Sequence, residues 1–520
     1  MTPRPDQRPK KYGTHLIRWR QAAQTVFFLI WVYIIWTTKY PLKGFVHPAV
    51  LFQLDPLLMS LTAIAERVWL SGWFWALLTL VVTLVWGRVF CGWFCPLGTV
   101  MDGVAALVYR FRRKQEKAPG WAQRIKYMLL GLLAALGLAG WQWAWMFDPL
   151  TIFVRAFSFN LHPAVNQTVD RVFAWALTVT QDYPPLEMFY YQLKDNVLDI
   201  SHPAFPHAGV IGWIFLLILA AVLLQRRFWC RYVCPLGALL GAVARFSWYR
   251  RTPGECRGGC AACRNTCRTN AIENDGTYRP GECVVCFDCL KVCPTQTTRF
   301  SFRRLPVSTP SAGAPVSPGD RGISRAQFLL LVGGAMALTA RQSAALVLPA
   351  SMRRMQLLRP PGALPEAEFV QRCVRCGNCM KVCLTNVLQP AVMESGPEGI
   401  WTPYVAPAVA YCEYQCNLCG QVCPTGAIRP LTLEQKKQTK LGLAAVHRDL
   451  CKPWISDSQC LVCEEHCPVA SKAIKVIEQR NERGKLMRRP VVDASLCVGC
   501  AICENKCPAR PQRAITVLSL

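Results

Sequence analysis

Twenty-four of the 28 cysteines in this 520-residue chain fall into six groups of four with short internal gaps. Cysteines separated by two residues are poorly placed to bridge one another, yet well placed to grip one metal centre. Three groups share the spacing C-x2-C-x2-C-x3-C: Cys283, Cys286, Cys289 and Cys293; Cys373, Cys376, Cys379 and Cys383; and Cys497, Cys500, Cys503 and Cys507. Two open with a three-residue gap: Cys256, Cys260, Cys263 and Cys267; and Cys412, Cys416, Cys419 and Cys423. The last, Cys451, Cys460, Cys463 and Cys467, opens with eight residues. In such runs three closely spaced thiolates wrap a cubane, and the fourth reaches a neighbouring cluster. Four-thiolate zinc is the competing chemistry. The repeated spacing, the arrangement in pairs and the proline after four of the groups favour six [4Fe–4S] clusters. Reciprocal exchange of the fourth ligand is expected within the pair at 256–293. Among the four groups at 373–507, one available pairing is first with last and second with third.

The remaining four cysteines form two C-x3-C-P motifs, Cys91/Cys95 and Cys230/Cys234. They lie in a repeat: RVFCGWFCPLG (Arg88 to Gly98) resembles RFWCRYVCPLG (Arg227 to Gly237), and QLDPL (Gln53 to Leu57) resembles MFDPL (Met146 to Leu150). Residues four apart share a helix face, so each pair offers two thiolates in one direction. Three readings stay open: a seventh cluster or metal site, a thiol–disulfide switch, or a structural role.

Four apolar runs, at about 22–40, 68–90, 127–147 and 210–228, predict four transmembrane helices. The expected fold class is therefore membrane α-helical, with a duplicated two-helix core, a fifth anchor helix and two α+β ferredoxin-like polycluster domains. The expected divisions are a basic cytoplasmic N-terminus (1–21), the membrane core (22–247), a two-cluster ferredoxin domain (248–304) and a linker (305–322). A signal or anchor helix (323–349) and a four-cluster domain (350–520) follow. The stretch Ser324-Arg325-Ala326-Gln327-Phe328-Leu329 resembles a twin-arginine export signal that has lost its second arginine. Basic stretches at the N-terminus, Arg110 to Lys117 and Arg226 to Arg231 belong on the cytoplasmic side. The expected location is the bacterial inner membrane, multi-pass and in contact with lipid, with the last domain periplasmic.

A net charge of +28 invites a nucleic-acid reading. Six oxidised all-thiolate clusters would offset about −12 of it, and much of the rest flanks apolar runs, so no nucleic acid is expected. No C-x-x-C-H motif occurs and no histidine pairs lie within the apolar runs, so no haem is expected. No G-x-G-x-x-G follows a strand, so neither NAD nor FAD is expected. Oxidation of quinol needs a proton acceptor beside an electron acceptor. Asp55 and Asp148, at matching positions of the repeat, are candidates with His47 and His162. Glu66, His202 and His207 are expected on the same side. An aspartate before proline also commonly just starts a helix.

The duplicated C-x3-C-P-L-G core with its two-cluster domain, residues 15–300, resembles the NapH-type iron–sulfur proteins and the core of NosR. From about Gly322 onward the chain resembles NapG-type ferredoxins. The resemblance implies a quinol dehydrogenase, an oxidoreductase subunit drawing on the quinone pool and serving a periplasmic reductase or cytochrome. A cytoplasmic electron donor is a further expected partner. The flavin-bearing domain of NosR has no counterpart here, so no flavin is implied. The rival readings are an electron donor for metalloenzyme maturation, and a conduit between a cytoplasmic ferredoxin and the membrane.

Overall fold

The computed structural model describes residues 13–111, 120–180, 183–199, 203–252, 260–273, 278–302, 357–392, 394–456, 458–480 and 484–519. These form a helical chain with four small two-stranded antiparallel sheets, divided into two compact units. The first is Met1–Tyr33, Val50–Phe153 and Gly212–Val347; the second is Ile34–Ala49, Val154–Ile211 and Leu348–Leu520.

The expected four-helix membrane core is overturned, and with it the multi-pass inner-membrane location. Among the described residues no helix is long and apolar enough to cross a membrane. The physical reason is that the apolar runs are cut short. Helices Trp73–Trp86 and Ile125–Leu138 have 14 residues each, and Ala208–Ala220 has 13. At about 1.5 Å per residue each measures roughly 20 Å, against about 30 Å of hydrocarbon. Gly87 ends the first at φ 78°, Gly140 follows the second at φ 86°, and the tight turn Ala221–Leu223 ends the third. The helix Thr14–Thr37 reaches 24 residues, but polar residues fill its first turns, and Arg20 and Gln24 are buried in the protein. The linker at 305–322 and the anchor helix at 323–349 lie outside the described residues.

In the first unit, helices Pro56–Glu66, Trp73–Trp86, Ile125–Leu138 and Pro235–Ala244 pack on one another. Each copy of the repeat contributes an Asp–Pro helix start, an apolar helix and a helix that begins at the proline of C-x3-C-P. Strand Tyr249–Thr252 pairs with Arg299–Phe302, Tyr249 lying opposite Phe302, and closes the neighbouring cysteine-rich segment.

In the second unit, helices His162–Val179 and Pro184–Asn196 are tied by Asp170, which accepts hydrogen bonds from Tyr190 (2.8 Å) and Lys194 (2.9 Å). The cysteine-rich part holds three sheets: Leu388–Pro390 with Pro403–Val405, Gly442–Val446 with Ile515–Ser519, and Ile474–Arg480 with Leu486–Val492. The third cysteine of every group rides on a helix of four or five residues, as Cys379 does on Asn378–Lys381 and Cys503 on Ile502–Lys506.

Candidate iron–sulfur sites

The C-x2-C-x2-C loops share one backbone device. The residues immediately before and after the second cysteine both have positive φ: Val285 (51°) and Phe287 (62°), Arg375 (48°) and Gly377 (87°), Gly499 (70°) and Ala501 (64°). A left-handed residue with a side chain costs roughly 1–2 kcal/mol. Val285 and Phe287 both bear that cost, whereas Gly377 and Gly499 spare their loops one of the two; in each loop the paired left-handed residues fold three thiols toward a common centre. The groups that open with longer gaps do without it; Asn417 and Leu461, after their second cysteines, have φ −133° and −124°.

The thiols gather across motifs. Cys373, Cys376 and Cys379 line a cavity with Cys423, while Cys412, Cys416 and Cys419 line another with Cys383. Cys451, Cys460 and Cys463 share a third with Cys507, and Cys467 lies beside Cys497 and Cys500. In the first unit Cys267 joins Cys283, Cys286 and Cys289, while Cys293 lies near Cys263. Reciprocal exchange thus holds at 256–293, although Cys256 lies outside the described residues. In the second unit the first group exchanges with the second and the third with the fourth, which corrects the alternative of first with last. The short chain between partners explains this: Cys383 and Cys412 are brought together by the adjacent hairpin Leu388–Pro390/Pro403–Val405. The two pairs meet where Cys412 N–H donates to Cys500 C=O at 2.9 Å. Backbone N–H groups also point at sulfur, from Ala271 to Cys267 (3.2 Å) and from Ala473 to Cys467 (3.3 Å). Four thiols around a hollow, with N–H donors aimed at them, suit a [4Fe–4S] group.

The two C-x3-C-P motifs also converge. Cys91 sits in a π-helical turn, Phe90–Phe94, and Cys230 in the short helix Phe228–Tyr232. Cys95 and Cys234 stand just before helices Pro96–Phe111 and Pro235–Ala244, and Cys234 Sγ accepts from Gly237 N–H at 3.2 Å. All four are buried. Burial pushes the Cys95, Cys230 and Cys234 thiols up, and the neighbouring sulfurs push the same way. Were all four thiols ionised they would need a cation among them, which the iron of a cluster would supply.

Two arginines enclose this group in a crossed arrangement. Arg227, in the second repeat, reaches the first: it donates to Cys91 C=O at 2.9 Å and to Asp102 at 2.7 and 2.8 Å. Arg88, in the first repeat, packs on Gly237 of the second and donates to Gly281 C=O (3.1 Å) and Glu282 (3.4 Å). Glu282, next to Cys283, also receives Lys126 and the Tyr127 hydroxyl. Asp102 holds Arg268 at 3.0 Å, and Arg268 in turn meets Asp288, between Cys286 and Cys289. Burial pushes Asp102 up, but Arg227, Arg268 and Gln24 outweigh it and hold its carboxyl well below the usual range. Gly92 packs against Val284 C=O, and Trp93 donates to Val285 C=O at 3.1 Å, so the Cys91 turn abuts the Cys283–Cys289 loop.

Arg227 and Arg231, expected to face outward as orienting charges, are buried. The sequence signal for the crossed pair is the arginine three residues before each C-x3-C-P motif, Arg88 and Arg227. Asp102, Glu282 and Asp288 were not anticipated; two of them flank ligand cysteines, which was the available clue.

Asp55 and Asp148 are fully buried beside each other, and each caps its own helix. Asp55 accepts from Leu57 N–H (2.8 Å) and Leu58 N–H (3.2 Å), and Asp148 from Thr151 N–H (2.6 Å). Burial pushes both carboxyls up. His162 is buried in the second unit, whereas His47 and His207 are exposed and His202 lies outside the described residues.

A sequence profile described as "4Fe-4S binding domain" matches residues 68–117 and 205–254, the two stretches that carry C-x3-C-P. A profile described as NosR matches residues 254–298. The methylamine utilization ferredoxin-type protein MauM of Methylorubrum extorquens is 35% identical over 213 residues, 39% of this chain and 90% of that protein. The chain belongs to the ferredoxin-type family of MauM and NapG. The ferredoxin-type protein NapG of Escherichia coli is 38% identical over 167 residues, 31% of this chain and 71% of NapG. Protein NirI of Paracoccus denitrificans is 29% identical over 243 residues, 45% of this chain and 29% of NirI. No solved structure matches. As a member of the MauM and NapG family, the chain is a [4Fe–4S] electron-transfer protein.

Proposed function

We propose that the chain is an oxidoreductase subunit that takes electrons from a hydroquinone and delivers them to a partner reductase. The observation that carries this reading is the interleaving of the described cysteines, in which the first three thiols of a motif are joined by the fourth of its partner motif. Six sets would hold six [4Fe–4S] clusters, and Cys91, Cys95, Cys230 and Cys234 a seventh. When bound, such clusters supply one-electron steps at potentials set by hydrogen bonds and nearby charge.

The chain's own residues bring neighbouring sets together within each unit. In the first, Gly92 and Trp93 press the C-x3-C-P group onto the Cys283–Cys289 loop, and Arg88 and Arg227 supply buried positive charge. In the second, the Cys412–Cys500 contact joins the two exchanged pairs into one line. The NapH-type likeness of residues 15–300 contributes its cysteine motifs to this proposal, not its membrane helices. Asp55 and Asp148, buried against each other, remain candidates for handling a proton in the first unit.

The test is anaerobic. The purified protein is assayed for iron and sulfide, then mixed with menadiol while cluster reduction is followed by EPR. Reduction of at least one cluster is expected. If dithionite reduces the clusters and menadiol reduces none, hydroquinone is not the donor.

A further inference from the structure

The segment 154–211 of the second unit covers the first cysteine loop and carries a group of polar atoms with nothing to bond. His162 is fully buried, and neither ring nitrogen makes a hydrogen bond; Nδ1 lies 3.5 Å from Asp199 Oδ2. Asn166, one turn further along the same helix and also fully buried, has neither its oxygen nor its nitrogen bonded. Asp199 Oδ1 and Lys381 Nζ, each in a buried side chain, are likewise unbonded. Buried polar atoms left unbonded cost about 1–3 kcal/mol each. So many, drawn from three parts of the unit around one histidine, indicate a bound group that can both donate and accept hydrogen bonds.

The surroundings narrow what that group is. Trp36 stands edge-on to the His162 ring at 4.6 Å and supplies an apolar aromatic wall. Phe159, three residues before His162, packs on Gly377, between Cys376 and Cys379; a Cβ there would come within 2.5 Å of the ring. Asn386 donates to Ala204 C=O at 2.8 Å and fixes the same segment on the cysteine loop. Lys381 itself lies between Cys379 and Cys383. The polar atoms thus adjoin the set formed by Cys373, Cys376, Cys379 and Cys423.

We propose that His162, Asn166 and Asp199 bind the hydroxyl groups of a hydroquinone beside that cysteine set and receive its protons. This rests on the hydroquinone reading above and locates it. Oxidation breaks two O–H bonds and turns both C–O bonds into C=O. The two electrons would be taken one at a time by oxidised iron–sulfur groups, the first of which Cys373, Cys376, Cys379 and Cys423 would hold. The first proton goes to His162 and on to Asp199, which releases it to solvent, and the second follows the same route. Burial, with Lys381 and Lys39 nearby, pushes His162 down to about 2, so its ring is neutral and its lone pair free at physiological pH. Removing an electron from hydroquinone makes its hydroxyl far more acidic, so a weak base suffices. Burial pushes Asp199 up against the opposing pull of Lys381, Lys39 and Lys194, which suits a group that holds a proton briefly.

The experiment compares the full chain with His162→Gln and Asn166→Leu, and thermal unfolding confirms that each variant is folded. Binding of menadione to the oxidised protein is read by calorimetry, and menadiol-driven reduction by EPR. The expected result is loss of menadione binding in both variants and a fall in reduction rate of roughly a hundredfold in His162→Gln. Reduction and binding unchanged in both variants would overturn this site while leaving hydroquinone as donor. Menadione binding that depends on His162, without reduction by menadiol, would uphold the site and sink the donor reading. A wild type that neither binds menadione nor is reduced by menadiol overturns both.

Discussion

Two kinds of four-cysteine group in this chain reach similar ends by different physics. In the ferredoxin-type sets three thiols come from one motif, and in the three C-x2-C-x2-C loops paired left-handed residues such as Arg375 and Gly377 aim them inward. In the C-x3-C-P group the four thiols come from two distant copies of a repeat, and fully buried guanidiniums hold the copies together. The first kind is built by local backbone. The second depends on long-range ion pairs, so it is open to changes that never touch a cysteine.

The most damaging change should therefore be Arg227→Met. It leaves the Asp102 carboxylate without its bidentate partner, and removing one member of a buried pair costs about 3–5 kcal/mol. Calorimetry should show a lowered transition and loss of the C-x3-C-P group, while EPR signals from the second unit persist. Arg227→Lys should rescue little, because an ammonium cannot span Asp102 and Cys91 C=O together. An unchanged melting temperature in Arg227→Met would show that the crossed arginines are incidental.

The ferredoxin-type sets should fail one set at a time. Cys423→Ser and Cys376→Ser line the same cavity, so either change, or both together, should remove about 4 Fe per chain. Cys423→Ser with Cys416→Ser strikes two cavities and should remove about 8. Iron analysis giving the opposite pattern would mean that each motif closes on its own fourth cysteine.

A smaller difference should appear with pH. Asp102 is held below its unfolded value of about 3.9, so its ion pairs stabilise the fold above that pH. That contribution is lost as pH falls through the lower folded value. Acid should therefore lower the first unit's melting temperature, and Asp102→Asn, already weakened at neutral pH, should respond less. Equal slopes for the two proteins would remove Asp102 from the account.

The contrast also explains what was legible in the sequence. Cysteine spacing depends on local geometry, so the grouping of the thiols is legible in the sequence, and so is the partnership of Cys267 with Cys283, Cys286 and Cys289. The exchange partners within 373–507 could not, because the hairpin that joins Cys383 to Cys412 is a tertiary fact. Hydropathy misled: Trp73–Trp86 and Ala208–Ala220 are apolar enough to suggest spans, but Gly87 and the turn at Ala221–Leu223 stop them short. Charge misled in the same way. Arg227 and Arg231 read as orienting charges, but both are buried, Arg227 on the distant Asp102 and Arg231 on the nearby Gln225. His162 is a candidate for quinol from the sequence, but nothing there indicates Asp199 or Lys381 as its neighbours.

The least conspicuous test uses the two glycines of the C-P-L-G motifs, which sit in equivalent places but face different neighbours. A Cβ at Gly237 would lie 2.7 Å from Arg88 Nη2. The end of an arginine usually yields easily, but this one is pinned to Gly281 C=O and Glu282 and has no solvent to move into. A Cβ at Gly98 would meet Cys91 C=O at 3.0 Å and Arg227 Nη2 at 3.5 Å, a tight fit that a few tenths of an ångström relieve. Both residues lie in the first turn of a helix, where alanine regains up to about 1 kcal/mol over glycine. Gly98→Ala should therefore be near neutral. Gly237→Ala should cost about 1–2 kcal/mol net of that gain and disturb the Glu282 cluster beside Cys283. Equal melting temperatures for the two variants would mean that Arg88 is freer than its partners imply, and that the two repeats hold their thiols alike.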